Sequence, residues 1–254
     1  MASLKWWDFH CHPNEWGNVE KALSAARALG IQGVCANGTN ALSNGQCRSL
    51  SHAFKGLVFF GLGMHPQELI QWSRLEQDHA WEGVQAHAAD AHFFGETGLD
   101  YKYGVTVEQR ECQAKWFACM TALARAHDKA VEVHSRQARS QTLEFLQRAR
   151  AEKVLLHWFY GDKKMIRVIV ENGWKASVGP SVLTQPHIQS FARALPVENL
   201  CLETDGPVSF DGVPADSTWI PRVAEKVCAL KGLSMEELSH VQQRIARDYF
   251  GFKP

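Results

Sequence analysis

The sequence has no excess of charge of either sign: 27 Lys and Arg stand against 27 Asp and Glu, a formal net charge of zero. A protein that grips nucleic acid mainly through bulk electrostatics is normally basic. Any polyanionic ligand must therefore be held locally, by a few placed cations and by metal. No apolar run approaches the roughly 20 residues of a membrane helix. The opening segment, MASLKWWDFHCH, lacks the basic start and apolar stretch of a signal peptide. A cytoplasmic protein without membrane contact is expected. No Cys-x-x-Cys pair occurs, and the cysteines number seven, an odd count (Cys11, Cys35, Cys47, Cys112, Cys119, Cys201 and Cys228). Both facts argue against a disulfide framework or a zinc knuckle, and free thiols in a reducing compartment fit better. No Gly, Ser or Pro-rich linker, low-complexity tract or internal repeat interrupts the chain. The 254 residues read as a single domain, 1–254, a length that α/β barrels routinely use. No obligate protein partner is evident.

What is present is alternation. Apolar runs at 4–10, 31–36, 57–62, 92–96, 130–134, 153–157, 173–178 and 199–204 read as eight strands. Amphipathic stretches near 18–29, 43–54, 74–89, 107–127, 137–150, 162–172, 187–194 and 217–231 separate or follow them, and an extra C-terminal helix near 234–249 ends the pattern. In 107–127, Val107, Cys112, Trp116, Cys119, Met120 and Leu123 recur at helical spacing. In 162–172, Met165, Ile166, Ile169 and Val170 oppose Lys163, Lys164 and Arg167. Strand-like runs separated by helix-length segments argue for parallel βα units. Eight such units suggest the α/β class and a single (β/α)8 TIM-type barrel, with an open doubly wound sheet as the alternative.

The metal-capable side chains fall at the ends of these runs. His10 and His12 end the first, Glu96 the fourth, His134 the fifth and His157 the sixth, and Asp205 follows the eighth. In a parallel barrel all C-terminal strand ends share one face, where active sites lie. Residues i and i+2 of a strand point to the same side, so His10 and His12 can share one ion. A carboxylate such as Glu96 can bridge two ions, and paired cations lower the pKa of a bound water. His, Glu and Asp donors suit zinc, manganese or iron better than calcium. Taken singly, a strand-end His is more often structural, Glu96 could be a helix cap, and Asp205 before Gly-Pro could start a turn.

The chain resembles the TatD family of metal-dependent deoxyribonucleases, within the amidohydrolase-like barrels. The resemblance rests on DFHCHPN at 8–14, GLGMHPQ at 61–67, FGETGLDYKY at 94–103, VEVHSRQA at 131–138, LLHWFYG at 155–161, LCLETDGP at 200–207 and DYFGF at 248–252. It implies two divalent ions, zinc, manganese or magnesium, with His10, His12 and Asp205 on the first, Glu96 bridging, and His134 and His157 on the second. Asp205 would orient or deprotonate the attacking water. His65, Arg136 and Tyr101 would face the substrate, with Asp100 shaping the pocket, and Glu203 would support the ligands from behind. Gly95, Gly98 and Gly161 would serve backbone geometry. The implied reaction is hydrolysis of DNA phosphodiesters, from a strand end and preferring single strands, by a metal-activated water.

Two departures bear on substrate. Pro13-Asn14 stands where the family commonly has Leu-Asp, and after Asp205 the stretch DGVPADSTWIPR stands where many relatives carry a basic Arg-Asn motif. They and the zero net charge keep a second reading open, hydrolysis of a small ester, amide or aminoacyl bond. A third is a partner-binding barrel with little activity alone, hinted at by nine tryptophans. Trp6 and Trp7 should point to opposite sides of the first strand, so at most one faces the barrel interior.

Overall fold

Each of the eight apolar runs becomes a strand: β1 (Trp6–Cys11), β2 (Ile31–Asn37), β3 (Val58–Leu62), β4 (Phe93–Gly98), β5 (Val131–His134), β6 (Val154–Leu156), β7 (Lys175–Val178) and β8 (Leu200–Leu202). The computed structural model describes residues 4–253. The strands are parallel and hydrogen-bond in chain order from β1 to β8. Helices cover the outside: α1 (Val19–Ala28), α2 (Ala41–Ala53), the short α3 (Pro66–Leu69), α4 (Arg74–Ala86), α5 (Val107–Ala126), α6 (Arg139–Arg148), α7 (Lys163–Glu171), α8 (Pro186–Ala194), α9 (Ile220–Lys231) and α10 (Met235–Arg244). Thr106, Ser73 and Ser234 begin α5, α4 and α10 with capping boxes, each hydroxyl accepting from a backbone N–H three residues on.

The seam between β8 and β1 closes just beyond β8. The Asp205 N–H donates to the His10 carbonyl at 2.9 Å and the His12 N–H to the Gly206 carbonyl at 2.7 Å. Buried Asp8 adds to the seam, accepting from the Thr204 N–H at 2.9 Å, the Thr204 hydroxyl at 2.6 Å and the Ser217 hydroxyl at 2.7 Å. Three residues expected at the metal site are thus tied together by backbone.

Two apolar layers hold the barrel. Trp6, Val34, Val58, Phe94, Val133 and Leu156 face the helices. Trp7, Phe9, Cys35, Phe59, Phe93, Leu155 and Cys201 fill the interior together with Phe250 and Phe252 from the chain's end. Phe252 stacks 4.6 Å from Phe59 and 5.6 Å from Trp7, so the C-terminal segment plugs the barrel floor. Trp6 and Trp7 do point into different layers, and both are at most 2% exposed, so neither offers a contact surface.

Strict alternation from Trp7 and Phe9 would put Cys11 inside and His10 outside. A register shift between Asp8 and Cys11 against β2 resets the alternation, as a β-bulge does. Cys11 packs in the outer layer and His10 turns to the mouth.

Several helical expectations shift. Val107 is 67% exposed, and the buried stripe of α5 runs through Gln113, Trp116, Phe117, Met120, Thr121 and Ala124. In α7 only Ile169 is fully buried, and Val170 is 40% exposed. The stretch near 234–249 divides into α10 and a wider π turn, Ile245–Tyr249, that steers Phe250 and Phe252 inward. Residues 209–214 form a hairpin, β9 (Ser209–Phe210) against β10 (Val213–Pro214), where only loop is expected.

Candidate metal centre

Glu96 projects from β4 into the barrel mouth and is 3% exposed. Its two oxygens face two different sets of imidazoles. Oε2 lies 3.5 Å from His10 Nε2 and 3.4 Å from His12 Nε2. Oε1 lies 2.7 Å from His134 Nδ1, 3.3 Å from His157 Nε2 and 3.3 Å from His65 Nε2. Asp205 Oδ1 stands 3.5 Å from both His10 Nε2 and His12 Nε2. Three sets of donor atoms are each mutually close enough to hold a metal ion: His10, His12 and Glu96; His10, His157 and Asp205; and His65, Glu96 and His134.

The far side of each ring shows which nitrogen is free to bind a cation. His12 Nδ1 is 3.0 Å from the Asn37 carbonyl. A carbonyl only accepts, so in the neutral ring the proton sits on Nδ1 and the Nε2 lone pair aims at Glu96 and Asp205. His10 Nδ1 is 3.1 Å from Glu132 Oε2, and its buried Nε2 has no hydrogen-bond partner. His157 Nδ1 stands 3.4 Å from Glu203 Oε2. His134 Nε2 is 2.9 Å from Asp100 Oδ2, leaving Nδ1 for the Glu96 side. A lone pair facing a carboxylate oxygen is repulsive unless a proton or metal cation lies between. The donor set therefore fits divalent cations.

His65 differs. It caps α3, and its Nδ1 accepts the Gln67 N–H at 3.2 Å. The neutral ring then carries its proton on Nε2, which makes that atom a donor rather than a ligand.

Electrostatics follow the same division. Burial alone would lower the imidazoles, but hydrogen bonds to Asp205 and Glu96 outweigh it and push His12 up to about 10. His157 rises to about 9, against burial and the neighbouring His10, through Glu96 and Glu203. His65 goes the other way because burial prevails. Glu96 and Asp205 are held below the ordinary carboxylate range: burial would raise them, and the surrounding imidazoles outweigh it.

The structure thus brings together His10, His12, His65, Glu96, His134, His157 and Asp205. Glu203 lies behind His157, where it also accepts from the Ser177 hydroxyl at 2.6 Å. Arg136 and Tyr101 stand on the rim, joined through the Tyr101 N–H to the Arg136 carbonyl at 2.9 Å. Neither side chain bonds to the cluster. The Arg136 guanidinium sits 5.8 Å from the Tyr103 ring and that of Arg110 4.3 Å from the Tyr101 ring. Asp100 is more than a loop residue, since it also accepts from the Lys102 and Tyr103 N–H groups. Glu132 escaped the sequence reading although it lies two positions before His134 on one strand, and the i, i+2 rule could have found it. Asp8 and Ser177 left no such signal. Gly98, at φ +140°, lets β4 pass β5: a Cβ there would lie 2.1 Å from the His134 carbonyl oxygen.

All seven cysteines are free. Among the described residues no helix is long and apolar enough to cross a membrane.

The family model for TatD-related DNases matches residues 7–251. The human deoxyribonuclease TATDN3 is 29% identical, over 96% of this chain and 93% of its own length. The 3'-5' ssDNA/RNA exonuclease TatD of Pantoea ananatis is 25% identical, over 91% and 93%. The crystal structure of YJJV, a TATD homologue from Escherichia coli K12, superposes with a TM-score of 0.82 at 22% identity over 98% of each chain, a likeness of fold.

Proposed function

The chain belongs to the TatD-related DNase family, and from that premise we propose that it hydrolyses DNA phosphodiesters from a strand end, preferring single strands. The reading rests above all on Glu96, whose two oxygens are divided between the His10–His12 and the His134–His157 pairs. His10, His12 and Asp205 would hold one divalent cation, His134 and His157 another, with Glu96 shared; zinc, manganese and magnesium are the candidates, and the imidazole-rich donors favour the first two. When bound, such a pair supplies a water of lowered pKa and neutralises charge on the phosphoryl oxygens.

The chain's own groups do the rest. Asp205, kept ionised, takes the proton of the attacking water. His65, kept neutral, offers its Nε2–H to a phosphoryl oxygen. Arg136 provides a planar fork that matches a phosphate, and Tyr101 shapes the rim beside it. The floor of Phe250 and Phe252 closes the barrel from below, so substrate enters from the strand-end face.

Stripped of metal and reloaded with manganese or magnesium, the protein should progressively shorten an end-labelled single-stranded oligonucleotide. Glu96→Ala should lose more than the ~10–100-fold typical of losing an outer partner of a metal ligand. Full activity in that variant, or inactivity of the metal-loaded wild type on every nucleic acid, would refute the proposal.

A further inference from the structure

We propose that the β6–β8 side of the mouth carries a stacking ledge for an unpaired nucleobase, built from Trp158, Phe210 and Trp219; the proposal rests on the phosphodiesterase reading above. Trp158 directly follows His157, and its ring stands edge-on to that imidazole with centroids 6.4 Å apart. Phe210 lies 5.7 Å from Trp158, and Trp219 lies 6.2 Å from Phe210. All three rings are half-buried, so each keeps surface in contact with solvent. The row starts beside His157, at the candidate metal centre, and continues through Phe210 to Trp219.

Three further features fit a ligand surface. Trp158 adopts φ +41°, a left-handed conformation that is a genuine outlier for a bulky side chain and clusters at functional positions. Phe210 is delivered by the β9–β10 hairpin, whose Asp211-Gly212 turn has φ of +52° and +77°, the two-residue turn that keeps a short hairpin tight. Val208, just before the hairpin, and Val213 within it are 38% and 53% exposed and add apolar surface. At its outer end the exposed Arg222 holds its guanidinium 4.9 Å from the Trp219 ring, a cation for the strand's backbone. An aromatic row beside a phosphodiester site is what an unpaired strand uses: every base has a π-face, so stacking is tolerant of sequence. A duplex end offers no such free bases.

The test compares two end-labelled oligonucleotides of equal length, one all thymine and one with abasic residues at its three terminal positions on each end. Wild-type protein should favour the natural strand in kcat/KM by roughly tenfold for each stacked base, mainly through KM. Phe210→Leu, Trp158→Leu and Trp219→Leu should each move the ratio of natural to abasic several-fold towards one. Stacking is also read without turnover: oligothymidylate should quench tryptophan emission, the abasic strand should not, and the Trp158→Phe, Trp219→Phe double variant should lose most of the quenching. An aromatic cluster that only pins the hairpin would lower the melting temperature of the Leu variants and leave the base preference intact, which would overturn the ledge. Cleavage with no base preference in the wild type would overturn it too. Quenching without cleavage of any phosphodiester would instead sink the hydrolysis reading and leave the ledge standing.

Discussion

Glu132 shows how much of a candidate metal site lies behind the side chains that would bind the ions. Its carboxylate is fully buried, one oxygen faces His10 Nδ1, and the other has no hydrogen-bond partner. Such a group fixes the tautomer and orientation of the imidazole. Glu132→Gln should weaken divalent-ion affinity by about 10–100-fold in calorimetric titration, with a smaller loss of kcat at saturating metal; unaltered affinity would contradict that role. The imidazoles also set a pH dependence. The folded-state values of His12 and His157, about 10 and 9, stand above the ordinary 6.5. In the metal-free protein their stabilisation is complete below pH 6.5 and is lost as pH rises through 9 and 10. A cation displaces those protons. The rise in melting temperature produced by manganese should therefore grow between pH 6.5 and 9, and a constant or shrinking rise would argue against protonated imidazoles at this site. Most of the ligand-capable residues were legible because they sit at strand ends. Glu132 offered only its i, i+2 spacing from His134, and Asp8 offered nothing, because a carboxylate inside an apolar strand announces no partner until the neighbouring strands are placed.

At the level of elements, the strands were legible for a physical reason. Parallel strands covered on both faces read as continuous apolar runs, and all eight were found within a few residues. Local departures from alternation were not. The bulge in β1 depends on pairing with β2, and without it His10 would face the helices. The hairpin at 209–214 had a signal, Asp-Gly between short apolar segments, but its strands are two residues each. The barrel floor was hidden too: DYFGF is readable as an ending, and only the fold shows Phe250 and Phe252 packed on Trp7, Phe9 and Phe59. Phe252→Ala should destabilise the protein by about 3–5 kcal/mol in urea unfolding while manganese affinity stays near the wild-type value. Loss of metal binding with an intact fold would show the floor and mouth to be coupled more tightly than their separate layers suggest.

For the molecule as a whole, zero net charge sets the style of substrate capture. On the proposed phosphodiesterase reading, affinity then comes from a few placed contacts rather than from a broad positive field. With two or three contacts, log affinity for single-stranded DNA should fall with log salt at a slope of about −1.5 to −2. A much steeper slope would reveal a basic track beyond the rim residues Arg136 and Arg222. Paired cations sharing Glu96 are the requirement on which the proposed hydrolysis stands, and anomalous diffraction from manganese-loaded crystals would locate them. It should show two peaks, one enclosed by His10, His12 and Asp205 beside Glu96 Oε2, the other by His134 and His157 beside Oε1. A single peak, or manganese bound away from Glu96, would contradict it.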